Sequence, residues 1–195
     1  MPVLTAQPAR QLPWDDERLL TACRKGNQQA WTTLVAKYKN LVYSIPIKMG
    51  LHEEAQDIFQ AVFLDLLTSL PDIREPQALP KWLIQVCYHK CLHFRTQGKR
   101  QVPLESEPIE TQIDAGAPTL DEVLIEGQRE QAVRDSLRLL SPRCERLVRM
   151  LFYETPARPY QEIARTLGLA TGSIGFIRGR CLAHLRRQLE RLGFK

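Results

Sequence analysis

Residues 159–192 read PYQEIARTLGLATGSIGFIRGRCLAHLRRQLERL, and this stretch decides the fold of the C-terminal part of the chain. It contains a short helical segment, a tight turn with glycine at 168–170 and a longer basic helix, the order typical of a helix-turn-helix. One side of the longer helix is apolar and is predicted to pack on a core: Ile174, Ile177, Cys181 and Leu185. The other side presents Ser173, Phe176, Arg180, His184 and Arg187.

The exposed side of this helix has the chemistry that reads duplex DNA in the major groove. Arg178 and Arg180 are suited to donate to guanine, and Phe176 to contact a thymine methyl group. Gly175 and Gly179 would let the helix backbone approach the DNA closely. The alternative is a solvated basic helix, in which each of the two glycines costs roughly 1 kcal/mol of helix stability.

Two more candidates stand at the start of the preceding short helix. Arg158 and Tyr160 are suited to phosphate contacts there, because a helix N-terminus already attracts anions.

The rest of the chain is also predicted to be helical, since apolar residues recur at helical spacing and no stretch alternates like a strand. Pro46 is expected to kink or end the second helix, and Gly50 to close it. Ser141 and Pro142 predict a new helix start. The first predicted helix begins at Asp15 and is separated by Gly26-Asn27 from the second, which is closed by Gly50. The other predicted helices cover residues 52–70, 79–100, 120–140, 142–155, 159–167 and 171–192.

Composition places the chain among ordinary globular proteins. It has 195 residues, 44% hydrophobic and 25% charged, with 27 basic and 22 acidic side chains, a net charge of +5. No run approaches the roughly 18 apolar residues of a membrane helix, so we expect no membrane insertion and a cytoplasmic location. Five cysteines are an odd number spread over a long chain, which predicts reduced thiols and no disulfide.

Charge is distributed unevenly and indicates the domain organisation. Residues 1–102 hold 13 basic and 9 acidic groups, residues 103–126 hold 7 acidic and no basic groups, and residues 127–195 hold 14 basic and 6 acidic groups. The acidic stretch begins with a Pro- and Glu-rich segment without helical period. We therefore expect an all-α fold with two small helical domains joined by an acidic linker: a tail at 1–14, a domain at 15–101, the linker at 102–119 and a domain with the helix-turn-helix at 120–195.

The predicted helix at 79–100 mixes aromatic and basic side chains. Aromatic rings stack on unpaired bases while cations follow the phosphates, a combination suited to single-stranded or melted DNA. Trp82 is as well explained by a place in the core, and the end of the helix by solvation. The candidate contacts are Lys81, Trp82, His89, Lys90, Phe94, Arg95, Lys99 and Arg100.

The most enzyme-like segment is Cys87-Tyr88-His89-Lys90-Cys91-Leu92-His93. On a helix the cysteine pair and the histidine pair are about 200° apart, so one tetrahedral metal site cannot collect all four. We expect the cysteines in the core, the histidines outside, and no metal or cofactor. The sequence contains no phosphate-binding loop, nucleophile elbow or zinc-protease motif, so we expect no catalytic activity.

Three stretches resemble the extracytoplasmic-function (ECF) group of bacterial RNA polymerase sigma factors. Residues 54–63, EAQDIFQAVF, resemble the A-E-D-x-x-Q-x-x-F signature of that group. Residues 82–86, WLIQV, resemble its W-L-x-x-I-A motif, while YQEIA at 160–164 and GSI at 172–174 resemble Y-x-E-I-A and G-T-V. This sequence departs from the pattern at Gln56, at His89 and His93, and at Gly175 and Gly179.

The resemblance implies a sigma factor that binds core RNA polymerase and promoter DNA. By position, the first signature assigns Asp57, Gln60 and Phe63 to the clamp helices of the largest polymerase subunit. The helix at 79–100 and the loop before it would recognise and melt the minus-ten element, and the last helix would read the minus-thirty-five element. The family's linker threads toward the polymerase active site, where acidic charge would mimic nucleic acid. Control is expected from a separate anti-sigma protein or from expression level.

Two other functions compete with this interpretation. An autonomous helix-turn-helix regulator would bind duplex operator DNA unaided and use its first domain to dimerise. A metal-dependent enzyme built on residues 87–93 would hold stoichiometric zinc.

Overall fold

The computed structural model of the protein describes residues 15–100 and 117–194, apart from the side chains of 97–100. These residues form eight α-helices and no strand, which confirms the all-α fold class. The N-terminal tail and residues 101–116, which make up most of the predicted linker, lie outside the described residues. The helices are α1 (Asp16–Arg24), α2 (Gln28–Lys48), α3 (Ala55–Ser69), α4 (Leu79–Arg100), α5 (Leu120–Arg138), α6 (Pro142–Phe152), α7 (Tyr160–Leu167) and α8 (Ile174–Arg191).

Local chemistry sets most helix ends where the sequence predicts them. The Asp15 side chain caps α1 by accepting from the Arg18 amide at 2.8 Å, and Ser141 caps α6 in the same way. Gly50 and Gly168 follow α2 and α7 with φ of 78° and 63°, a conformation that side chains with a Cβ disfavour. Single turns of 3-10 helix, Pro76–Ala78 and Thr171–Ser173, lead into α4 and α8.

Pro46 does not end α2, which runs on to Lys48. Proline lacks the amide that would bond to the carbonyl four residues earlier, that of Val42. In the structure the Cys87 thiol of α4 donates to this Val42 oxygen at 3.4 Å. A donor from a neighbouring helix thus satisfies the carbonyl that the proline leaves open, and the helix continues.

The described residues fall into two compact units, divided between Leu120 and Asp121. In the first unit α2 contacts α1, α3 and α4, so it is the central helix of that core. The Arg24 guanidinium of α1 donates to the Leu70 and Ile73 carbonyls just after α3. The largest fully buried side chains of this unit include Leu19, Leu20, Leu34, Tyr38, Leu41, Ile45, Ile58, Leu66, Leu79, Leu83 and Ile84.

The second unit has its own core, to which α6, α7 and α8 contribute. Its buried side chains include Leu137, Leu140, Leu147, Val148, Ile163, Ile174 and Cys181. A disulfide joins Cys144 of α6 to Cys181 of α8, with their Cα atoms 5.4 Å apart. The expectation of five free thiols is therefore wrong for this pair, because the packing of α6 on α8 brings together two cysteines 37 residues apart.

In the part of the chain that the structure describes, no helix is both long and apolar enough to cross a bilayer.

The bond from Cys87 to Val42 predicts unequal effects of two substitutions at a fully buried position. Cys87→Ala leaves the Val42 carbonyl buried without a donor, and should lower the unfolding free energy of the first unit by about 1–3 kcal/mol. Cys87→Ser keeps a donor and should lose less. All three tryptophans of the sequence precede residue 121, so tryptophan fluorescence during urea unfolding measures this unit. Equal losses for the two variants would contradict the assignment.

The disulfide predicts a thiol count and a stability difference. Of the five cysteines, Cys23, Cys87 and Cys91 are free. The unfolded, unreduced protein should therefore titrate three thiols and the reduced protein five. Reduction should lower the unfolding free energy of the second unit by about 2–4 kcal/mol, seen as faster hydrogen exchange in α6 and α8. Five thiols without reductant would exclude the bond.

Candidate functional surfaces

An open groove lies between α2 and α3 on the first unit and has a volume of about 410 Å³. Its lining combines aromatic rings, side-chain amides and one cation. The rings of Tyr43 and Phe59 meet edge to face with centroids 6.2 Å apart. We call this the α2–α3 groove; it is lined by Lys39, Asn40, Tyr43, Gln56, Phe59 and Gln60.

The structure separates the three residues that the first signature assigns to polymerase binding. Gln60 lines the α2–α3 groove, and Asp57 is exposed one helical turn earlier. Phe63 is only 7% exposed, and its ring packs edge to face on Trp31 and 4.8 Å from Phe59. Phe63 therefore supports the groove from the core side, while Asp57 and Gln60 are accessible to a partner.

Sequence analysis missed the groove residues contributed by α2, because the signature lies on α3 alone. Lys39, Asn40 and Tyr43 are exposed at neighbouring helical positions, and an exposed tyrosine among polar residues was the available signal. Leu64 and Leu67 of α3 are also exposed, at 64% and 54%, and lie one and two turns beyond Gln60. An apolar strip thus continues the face of α3 that carries Asp57 and Gln60.

On α4 the predicted DNA contacts differ in accessibility. Lys81 and His89 are exposed, eight residues apart and therefore on one face. Trp82 is half-buried. Lys90 forms a 2.8 Å ion pair with Asp65 of α3, so its charge is already partly compensated. Phe94 and Arg95 are half-buried, and the side chains of Lys99 and Arg100 lie outside the described residues.

The Cys87 to His93 segment is arranged as predicted, with both cysteines fully buried and both histidines exposed. A hydrogen bond with Cys91, together with burial, raises the pKa of the Cys87 thiol well above its usual value. This thiol therefore stays protonated in the free protein. No group of three or more metal-binding side chains occurs among the side chains that the structure describes, those of residues 15–96 and 117–194.

In the second unit, α7, a turn through Gly168 and α8 form the predicted succession of helices. Ile174 and Cys181 are the buried residues of α8, while Ile177 and Leu185 are half-buried against the same core, as the apolar stripe predicts. Phe176 is 71% exposed on the other side.

Several predicted contacts of this unit have partners within the chain. The Arg178 guanidinium donates to the Tyr160 hydroxyl at 2.7 Å, which joins the start of α7 to the first turns of α8. Arg158 forms an ion pair with Glu154. The Ser173 hydroxyl donates to the Ala170 carbonyl at 2.7 Å. His184 lies 3.1 Å from the Gln188 side-chain amide.

Arg180 lies over the ring of Phe176, with its guanidinium carbon 5.9 Å from the ring centroid. Phe176, Arg178 and Arg180 are the exposed residues of α8 that sequence analysis assigned to DNA. We call the exposed side of α8 that bears Phe176 and Arg180 the α8 face.

Gly175 and Gly179 of α8 are not required by packing. A Cβ atom added at either glycine meets nothing within 4 Å, and neither has a positive φ. Both glycines therefore weaken the helix without serving the packing of the free protein.

The sequence of the chain is similar to that of known sigma factors. No family model matches the chain. The chain is 26% identical over 168 residues to a probable RNA polymerase sigma factor, RfaY, of Xanthomonas campestris pv. campestris, a match that covers 84% of this chain and 41% of that protein. It is 24% identical over 109 residues to the ECF RNA polymerase sigma-E factor of Escherichia coli, covering 55% of this chain and 57% of that protein.

The matched parts thus span about half the length of these relatives. The sigma-E factor of Shigella flexneri matches to the same degree as that of Escherichia coli. These similarities confirm the resemblance to ECF sigma factors that the three motifs indicate.

The open surroundings of the two helical glycines predict a gain in stability. Gly175→Ala and Gly179→Ala should each raise the unfolding free energy of the second unit by up to about 1 kcal/mol, because alanine favours the helix. Gly168→Ala is the control and should lower it, since φ at this position is 63°. Hydrogen exchange in α7 and α8 measures all three variants. Destabilisation by the alanines in α8 would show that the free fold needs these glycines.

Proposed function

We propose that this chain is a transcription initiation factor of the sigma type, which binds core RNA polymerase and directs it to specific promoters. The observation that carries the proposal is the similarity to a named sigma factor over 84% of the chain, since this match must include parts of both units. In this function the protein has no catalytic step of its own. It contributes binding surfaces, and the polymerase performs the chemistry.

The α2–α3 groove and the adjoining face of α3 are the proposed polymerase contact. A groove with aromatic rings, amide groups and one lysine suits a helical partner that offers apolar and polar side chains together. Leu64 and Leu67 extend the apolar area along α3, and exposed leucines of this kind mark interaction sites when they are continuous. Asp57 and Gln60 supply the directional hydrogen bonds that fix the partner's register.

The exposed face of α4 is the proposed contact with the minus-ten element. Lys81 offers a cation to phosphate, and His89 an aromatic ring with hydrogen-bonding nitrogens to an unpaired base. Lys90 contributes less direct charge than the sequence suggests, because Asp65 is bound to it. Trp82, the residue after Lys81, is half-buried and therefore only partly accessible to DNA.

The α8 face is the proposed reader of the minus-thirty-five element. The bond from Arg178 to Tyr160 holds this arginine near the N-terminus of α7, where phosphates are favoured. Arg178 is therefore assigned to the phosphate backbone of the DNA. Arg180 and Phe176 are left for the base edges. The bare positions at Gly175 and Gly179 allow the helix to lie deeper in the groove, which accounts for glycines that the free fold does not need. Control by a separate anti-sigma protein stays a prediction.

The experiment that tests this function compares duplex binding with and without core RNA polymerase. Labelled genomic fragments are incubated with the full chain alone, with core enzyme alone and with both, and bound fragments are sequenced. Sigma function predicts enrichment of particular sequences only when both proteins are present. The same enrichment by the chain alone, without binding to core enzyme, would instead establish an autonomous helix-turn-helix regulator. Enrichment in neither sample would exclude both.

Two substitutions on α3 test the proposed polymerase contact. Asp57→Asn replaces a charged acceptor by a neutral amide, and Gln60→Ala removes a hydrogen-bonding amide. Each should weaken binding to core enzyme by about 1–3 kcal/mol. Glu17→Gln, which removes a carboxylate from an exposed position of α1, is the matched control and should bind normally. Fluorescence anisotropy of the labelled chain titrated with core enzyme measures the Kd. Unchanged Kd values for both α3 variants would move the contact elsewhere.

A further inference from the structure

Phe176 and Arg180 form a stacked pair on the α8 face. They are four residues apart on one helix, so their side chains share a side of it, and the guanidinium carbon lies 5.9 Å from the ring centroid. Both side chains are exposed, Phe176 at 71%. A large aromatic ring this exposed loses hydrophobic stabilisation unless something else covers it.

The Arg180 guanidinium has no carboxylate partner among the described residues, in contrast to three other arginines of this unit. Arg149, Arg158 and Arg186 each form an ion pair with a glutamate one turn away. Arg180 has no hydrogen bond or carboxylate partner among the described residues; the Phe176 ring is its recorded contact. The ring restricts where the guanidinium lies and leaves its N–H donors unpaired.

The surroundings of the pair are open. Gly175 precedes Phe176 and Gly179 precedes Arg180, so one row of α8 beside the pair carries no side chains. A flat ligand can therefore approach the helix backbone next to both side chains. This clearance matters most for Phe176, because its side chain is shorter than that of arginine and reaches the edge of a base only if the helix backbone comes close to the DNA.

We propose that Phe176 and Arg180 act as one specificity element that reads two adjacent base pairs, a guanine and a neighbouring thymine. Arg180 donates two hydrogen bonds to O6 and N7 of the guanine, and the Phe176 ring contacts the thymine methyl group. Because neighbouring bases of a strand are about 3.4 Å apart along the helix axis, two side chains in contact with each other meet neighbouring bases. The inference rests on the proposed function, since it requires that α8 lies in the major groove.

The pair differs from two independent contacts by its coupling. Stacking on Phe176 limits the positions of the guanidinium before DNA is bound, so less conformational freedom is lost when the guanine is recognised. Removal of the ring should therefore weaken discrimination at the guanine as well as at the thymine. Two unconnected side chains would not show this effect.

The test uses holoenzyme assembled from core RNA polymerase and the full chain. A random duplex library is first selected for bound sequences, and a synthetic duplex of the selected sequence is then altered one base at a time. Replacing the thymine that contacts Phe176 by uracil removes only the methyl group. Since burial of one methylene contributes about 0.8 kcal/mol, the Kd should rise about fourfold. Replacing the neighbouring guanine by 7-deazaguanine removes the N7 acceptor and should also raise it.

Variants assign these effects to the two side chains. Phe176→Ala should abolish the difference between thymine and uracil and reduce the effect of 7-deazaguanine. Arg180→Ala should weaken binding roughly 5- to 150-fold and remove the preference for guanine. Arg186→Ala, which removes the same charge from a different side of α8, is the control and should retain both base preferences.

The outcomes separate this inference from the proposed function. If holoenzyme selects a sequence but no thymine responds to uracil in a way that depends on Phe176, the stacked pair is not a base reader and the sigma function stands. If the response to uracil persists unchanged in Phe176→Ala, the methyl group is read by another residue and the inference is likewise overturned. If holoenzyme selects no sequence, both the inference and the proposed function fail.

Discussion

The attachment of α8 to α6 is the constraint on which the proposed DNA surface depends. Only Ile174 and Cys181 are fully buried among the residues of α8, and Cys181 is also bound covalently to Cys144. A helix held by so few positions keeps most of its surface for solvent or a ligand, and the disulfide limits its rotation about its own axis. The position of the α8 face is therefore determined by the core beneath it, and Phe176 and Arg180 are free to vary without loss of the fold.

The first unit follows the same principle with α2 as its centre. α3 and α4 each pack on α2 and on each other, so each presents a solvent-facing side without weakening the core. Around Pro46 these two helices are also linked by a hydrogen bond, since a thiol of α4 donates to the Val42 carbonyl that the proline leaves without its usual donor. The proposed polymerase and minus-ten surfaces are thus outer faces of helices whose inner faces hold the unit together.

The helices and many of their ends could be predicted because they depend on local chemistry: caps at Asp15 and Ser141, and a left-handed glycine after α7. Features that depend on distances between helices could not. The disulfide, the pairing of Lys90 with a carboxylate of α3 and the burial of Phe63 all follow from packing between segments remote in the sequence. For the same reason the motif on α3 identified one side of the α2–α3 groove and missed the side supplied by α2.

The central claim is that this chain gives core RNA polymerase its promoter specificity, and in vitro transcription tests it most directly. Core enzyme is incubated with genomic DNA and nucleotides, with and without the purified chain, and the 5′ ends of the transcripts are sequenced. The account predicts new, discrete start sites that require the chain and share one sequence element at a constant upstream distance. Identical sets of 5′ ends in the two reactions, with no binding of the chain to core enzyme, would contradict it.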